Sequence, residues 1–157
     1  MEKSKSIHTR TLAWTEEDIS QMLEIEKRSF NHYDAYSRDD FERWSHYNPD
    51  LCIVAEIRGR IAGYVVSRVL PGICELGSLA VDPEFRHCGI GETLLHETEY
   101  RLNGYGIDII TLEVRRTNLP GLAFWQKMGF SNIGTIPGFY EDGEDAVKMR
   151  KVIAETG

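Results

Sequence analysis

The chain has 157 residues, 41% of them hydrophobic and 27% charged, a balance that suits one soluble globular domain spanning 1–157. A formal charge of −7 speaks against a nucleic-acid-binding surface and mildly favours cationic partners such as amines. No apolar run approaches the roughly 20 residues of a membrane-spanning helix, and MEKSKSIHTR has no apolar core for a secretory signal. Three scattered cysteines without a C-x-x-C pair suit reduced thiols, so the expected compartment is the cytoplasm.

In chain order, Ile7 to about Ala13 alternates as a first strand. Thr15, with Asp18 three residues on, opens a helix whose apolar face is Ile19, Met22 and Leu23 and which ends near Phe30. Ser37 caps a second helix carrying Phe41 and Trp44, and Asn48–Asp50 form a turn. LCIVAEI and IAGYVVSRVL read as strands joined by a tight connection at Gly59, and ICELGSLAV as a third strand after Pro71-Gly72. A helix follows from Gly89 to Leu102 with Ile90, Leu94, Leu95 and Leu102 inward, stopped by Gly104-Tyr105-Gly106. IDIITLEV is a buried strand, Asn118 and Pro120 open a short helix, and two strands around SNIGTI and EDAVKMRKVI close the chain. The pattern predicts a mixed α+β fold, a central sheet of about seven strands with helices on both faces.

One junction points to chemistry. AVDPEFRHCGIGETLL runs from a strand through a polar turn and two close glycines into a helix. A helix start carries unpaired amides and partial positive charge, and glycine lets backbone approach an anion. The phosphate loops G-x-x-x-x-G-K-S/T and G-x-G-x-x-G do not fit, since Leu94 stands at the third glycine. RHCGIG, however, is similar to the Q/R-x-x-G-x-G/A signature of the GNAT superfamily of N-acetyltransferases. LEVRRTNLPGLAFWQKMGF resembles the family's next strand and helix. FYEDGEDAVKM resembles the Y-Y-x-x-G-E-D-A-x-x-M ending of its RimI-like and arrest-defective-type branch, which acetylates protein N-termini. The likeness covers about 61–151.

It implies a GNAT fold whose strand Leu79-Ala80-Val81 splays from its neighbour to bind the pantetheine arm of acetyl-CoA. Arg86, His87, Cys88, Gly89, Ile90, Gly91 and Glu92 would cradle the pyrophosphate, with Asn118 and Trp125 as further contacts. Phe30 and Tyr33, between the first two helices, and Phe139 and Tyr140 would line the acceptor cleft. Glu26 interrupts an apolar stripe and reads best as a solvated glutamate, as does the run Glu141–Asp145 as a solvated hairpin tip.

Glu113 is the expected catalytic base. It continues the face of Ile109 and Thr111, where a carboxylate must find a partner, water or the sheet edge, Arg115 being one candidate. An α-ammonium, titrating near about 8, needs less help than a lysine near about 10, so a glutamate acting through water suffices. The amine would attack the thioester directly, with amides near Val81 facing the developing charge. The family's tyrosine acid falls at Trp125, whose indole does not titrate, which leaves Tyr140 or solvent to protonate the thiolate. The implied enzyme is an acyltransferase moving acetyl from acetyl-CoA to protein or peptide N-termini, ribosomal proteins among them, as a monomer or homodimer without a metal, nucleic acid or membrane. A small-amine acetyltransferase and a non-catalytic acyl-CoA sensor are the alternatives.

Overall fold

The computed structural model describes residues 6–30 and 35–153. Four helices, α1 (Glu16–Ser29), α2 (Arg38–Ser45), α3 (Ile90–Leu102) and α4 (Leu119–Lys127), surround a seven-stranded sheet. Its strands are β1 (His8–Thr11), β2 (Cys52–Ile57), β3 (Arg60–Leu70), β4 (Ile73–Val81), β5 (Ile109–Arg115), β6 (Ser131–Ile136) and β7 (Ala146–Val152). Local chemistry sets most boundaries. The Thr15 hydroxyl accepts from the Asp18 amide, and Ser37 with Asp40 forms a reciprocal capping box. Arg58 and Gly59 both take positive φ, 55° and 77°, the geometry of a two-residue turn matched to strand twist. Pro71 followed by Gly72 at φ 78° closes the next hairpin. The first strand is shorter than its alternation suggests, because only His8–Thr11 pairs with β2.

The strand order is β1-β2-β3-β4-β5-β7-β6. Every pairing is antiparallel except β4 with β5, whose ladder holds only Cys74↔Ile110 and Glu75↔Thr111. Beyond Glu75 the two strands part and leave a fork in the middle of the sheet. Each face has its own core. Ile90, Leu94 and Leu95 of α3 and Trp125 of α4 pack with Cys74, Leu76, Ile110, Leu112 and Met149. Met22 and Ile25 of α1 and Phe41 of α2 pack on the other face with Val54, Tyr64, Val66 and Ala80. Helices therefore cover both faces, and the fork opens between the two layers.

Within β4, the partner of Val66 is Ser78 and that of Ser67 is Leu76, so Gly77 is an extra, bulged residue. The bulge reverses the alternation: Cys74 and Leu76 point to the α3–α4 face, whereas Ser78 and Ala80 lie on the α1–α2 face. A Cβ on Gly77 would come within 2.7 Å of the Trp44 ring, so the glycine is what lets the indole lie on the strand.

Candidate active site at the fork

A cleft of about 300 Å³ opens at the fork. Its walls come from both sides of the sheet: Glu26, Tyr36 and Trp44 from the α1–α2 layer, and Leu76, Leu112, Asn118 and Trp125 from the α3–α4 side. Extending the β4–β5 register by two residues sets Gly77 level with Glu113 across the gap. Leu112 and Val114 occupy the α3–α4 core, so the Glu113 side chain projects to the α1–α2 face. The cleft is thus a passage through the sheet, with a carboxylate on one side of it.

Glu113 is half-buried. Its partner is not Arg115 but Lys148, which stands opposite it in the β5–β7 ladder with Nζ 2.5 Å from the carboxylate. Arg115 instead pairs with Asp142 at 2.9 Å and lies 4.3 Å from the Tyr140 ring centre. Arg116 reaches Glu144 and Asp145, so the Glu141–Asp145 run, a solvated hairpin tip, is anchored by two arginines. These ties hold Phe139 and Tyr140, whose rings meet edge-on, against the mouth of the cleft.

Glu26 corrects the sequence reading. It is 1% exposed and accepts from the Tyr36 amide, the Tyr64 hydroxyl and the Ser78 hydroxyl. A glutamate on an apolar stripe looks solvated only until its donors, 10 to 52 residues away, are folded against it. Tyr36, also missed, donates to the carbonyl of the bulged Gly77 at 3.0 Å. Burial, followed by the charge of Glu26, pushes its phenol above the ordinary value, so it remains a donor. Phe30 caps α1 and lines the cleft, while Tyr33 lies outside the described residues.

The other side of the fork is built of backbone. The Asp82 amide donates to the Ala62 carbonyl, and the antiparallel register then assigns the polar groups of Ala80 and Ser78 to β3. Ala80 therefore has no backbone donor for a ligand. Leu79 and Val81 direct theirs into the fork. Asp82 itself is buried; it caps the short turn Pro83–Phe85 and receives Arg28 and Arg60 at 3.1 and 3.3 Å. Past that anchor, His87 at φ 66° and Gly89 at φ 81° curl the chain into α3. The first bond made to this turn by the helix is Thr93 N–H to the Gly89 carbonyl, so the amides of Gly89, Ile90, Gly91 and Glu92 precede the helical ladder. Arg86 and His87 are exposed beside them, and Cys88 is half-buried. The two glycines do different jobs. Gly89 supplies the left-handed backbone, whereas a Cβ on Gly91 would press on the Phe124 ring at 3.0 Å. Asn118 caps α4 through the Gly121 amide at 3.0 Å and also lines the cleft. Trp125, 9% exposed, meets Phe124 and Phe130 edge-on, which makes it a fixed apolar wall. Among the described residues no group of three His, Cys, Asp or Glu side chains could hold a metal ion, and no helix is long and apolar enough to cross a membrane.

The site thus joins a forked sheet, a helix N-terminus whose free amides can receive an anion, and a carboxylate across the gap. Residues 19–130 match the Acetyltransferase (GNAT) family, and the chain belongs to it. An uncharacterized N-acetyltransferase of Methanocaldococcus jannaschii is 38% identical over 88% of both chains. An N-alpha-acetyltransferase of Saccharolobus solfataricus is 34% identical over 62% of this chain and 66% of its own length. The crystal structure of the ribosomal-protein-S18-alanine N-acetyltransferase of Escherichia coli superposes with a TM-score of 0.80 at 27% identity, covering 97% of each chain. The seven-stranded mixed sheet is the GNAT fold, and the protein is an acetyltransferase of that family.

Proposed function

We propose that this enzyme acetylates the α-amino group of protein or peptide N-termini, with acetyl-CoA as donor and Glu113 as general base. The observation that supports this reading best is the passage through the sheet, which gives donor and acceptor separate faces and a shared gap. The donor side fits the group: curled backbone with unladdered amides for a pyrophosphate, outward amides at Leu79 and Val81 for an amide-bearing arm, and Trp125 as apolar wall. Acetyl-CoA supplies an activated acetyl thioester there. On the acceptor side Phe30, Tyr36, Phe139 and Tyr140 flank the entrance, and Glu113 takes the proton that an incoming ammonium must lose before its nitrogen is a nucleophile. Tyr140, whose ring lies 4.3 Å from the Arg115 guanidinium at the entrance, would return a proton to the leaving thiolate. Relatives named for N-alpha and S18-alanine acetylation support a protein N-terminus as acceptor, ribosomal proteins included.

The test is thiol release from acetyl-CoA with short peptides beginning with Ala, Ser, Met or an acidic residue, with spermidine alongside. Peptide-dependent release is expected, falling about 10²–10⁴-fold in Glu113→Gln. Release with spermidine alone would reassign the enzyme to small amines, and bound acetyl-CoA with no turnover would make it a sensor.

A further inference from the structure

If Glu113 is the base, an acceptor ammonium must come within one hydrogen bond, or one bridging water, of its carboxylate. One amine already does. Lys148 Nζ sits 2.5 Å from Glu113, on the acceptor face of the sheet, with the two side chains only 28% and 17% exposed. The other described lysines are elsewhere. Lys27 and Lys127 are exposed on helix surfaces, and Lys151 is turned to the opposite face, where it pairs with Glu99 of α3 at 2.6 Å. Lys148 is also held there by the ladder rather than by chance, since Glu113↔Lys148 is a register pair of β5 and β7.

We propose that Lys148 is a built-in acceptor: without a peptide, the enzyme transfers one acetyl group to its own Lys148 Nζ. The inference rests on the reading of the cleft given above. The C–N bond to Nζ forms as the thioester C–S bond breaks. Of the two protons the ammonium gives up, one leaves through Glu113 to water and the other ends on the coenzyme A thiol. A lysine ammonium titrates about 2.5 units above an α-ammonium in model peptides, so self-transfer should run on the order of 10²–10³-fold slower than peptide acetylation. It is a single event per chain. Its consequence falls on Glu113, because an acetylated lysine carries no charge and no longer competes with an incoming ammonium for the carboxylate. The modified enzyme should therefore show a lower KM for peptides.

The experiment incubates the whole protein with acetyl-CoA and no acceptor, then reads intact mass and maps the modified peptide. Wild type, Lys148→Arg and Glu113→Gln run in parallel, and each is also assayed for peptide-dependent thiol release. Arginine keeps a cation beside Glu113 but offers no primary amine. The expected result is one acetyl group per wild-type chain, on Lys148, at a rate independent of protein concentration and about tenfold or more slower in Glu113→Gln. Label only on Lys27 or Lys127, or on Lys148 equally fast in Glu113→Gln, would be chemical acetylation and overturns the inference. Brisk peptide turnover with Lys148 unmodified overturns it alone, whereas no peptide turnover and no label sinks the reading of the cleft as well.

Discussion

Replacing Gly77 by alanine should damage the site through a single methyl group. Its φ lies outside the left-handed region, so alanine meets no backbone penalty and gains about 0.4–1 kcal/mol from a less flexible unfolded chain. Against this, the new Cβ would stand 2.7 to 2.9 Å from three atoms of the Trp44 ring. A free indole would swing aside. Trp44 is not free: the Arg68 guanidinium lies 4.6 Å from its ring and equally 4.6 Å from that of Tyr47, and Arg68 is pinned to Glu75 at 2.7 Å. Overpacking of this kind costs about 1–3 kcal/mol, which leaves a net loss of up to roughly 2.6 kcal/mol. With a urea slope of about 2 kcal/mol/M, the unfolding midpoint should drop by up to roughly 1.3 M. The catalytic efficiency with peptides should fall too, since Gly77 is level with Glu113 across the fork. The decisive assay is a cycle of urea titrations with Gly77→Ala, Trp44→Leu and the double variant. Leucine vacates the space, so alanine in that background should be neutral or stabilising, giving a coupling of about 1–3 kcal/mol, the steric cost itself. Equal costs in the two backgrounds would refute the steric account.

Other variants probe the supports of the cleft. Asp18 is held below the ordinary carboxylate value by its hydrogen bonds from Arg10 at 2.8 and 2.9 Å, with the Ala13 amide adding to this. Its stabilisation is present in full above the unfolded-state value near 3.8 and is lost as pH falls through the lower folded value. Asp18→Asn should thus cost about 1.5–3 kcal/mol at pH about 7, with wild type and variant converging below pH about 4 in thermal unfolding. Tyr36→Phe removes the donor to the Gly77 carbonyl and should cost about 0.5–1.5 kcal/mol in the same titrations. Leu94, fully buried between α3 and the sheet, should lose about 2–5 kcal/mol on truncation to alanine. Arg86→Ala, at an exposed residue of the curled turn, should raise the KM for acetyl-CoA while leaving kcat nearly unchanged, and the effect should shrink in high salt.

Much of this architecture is legible in the sequence because the signals are local. A threonine three residues before Asp18, a glycine at the Gly59 turn and an asparagine before Pro120 each fix an end within a few residues. The Gly-x-Gly turn is legible as well, although the separate reasons for Gly89 and Gly91 are not, since Phe124 lies more than thirty residues beyond. What the sequence hides depends on register. Lys148 becomes the partner of Glu113 only when β5 and β7 align, and Arg115, the nearer cation in sequence, is drawn off by Asp142. Gly77 reads as an ordinary strand residue until the Val66–Ser78 and Ser67–Leu76 pairs expose the bulge. Glu26 is hidden for the same reason: its donors come from three separate elements.

The fork also bears on traffic. A sheet is normally a wall, its strands stitched edge to edge, and here the stitching stops after Glu75↔Thr111. Two molecules that meet in such an opening arrive from opposite directions and can withdraw in opposite directions, neither standing in the other's way. If the proposed reaction holds, its two products leave by opposite faces and in either order.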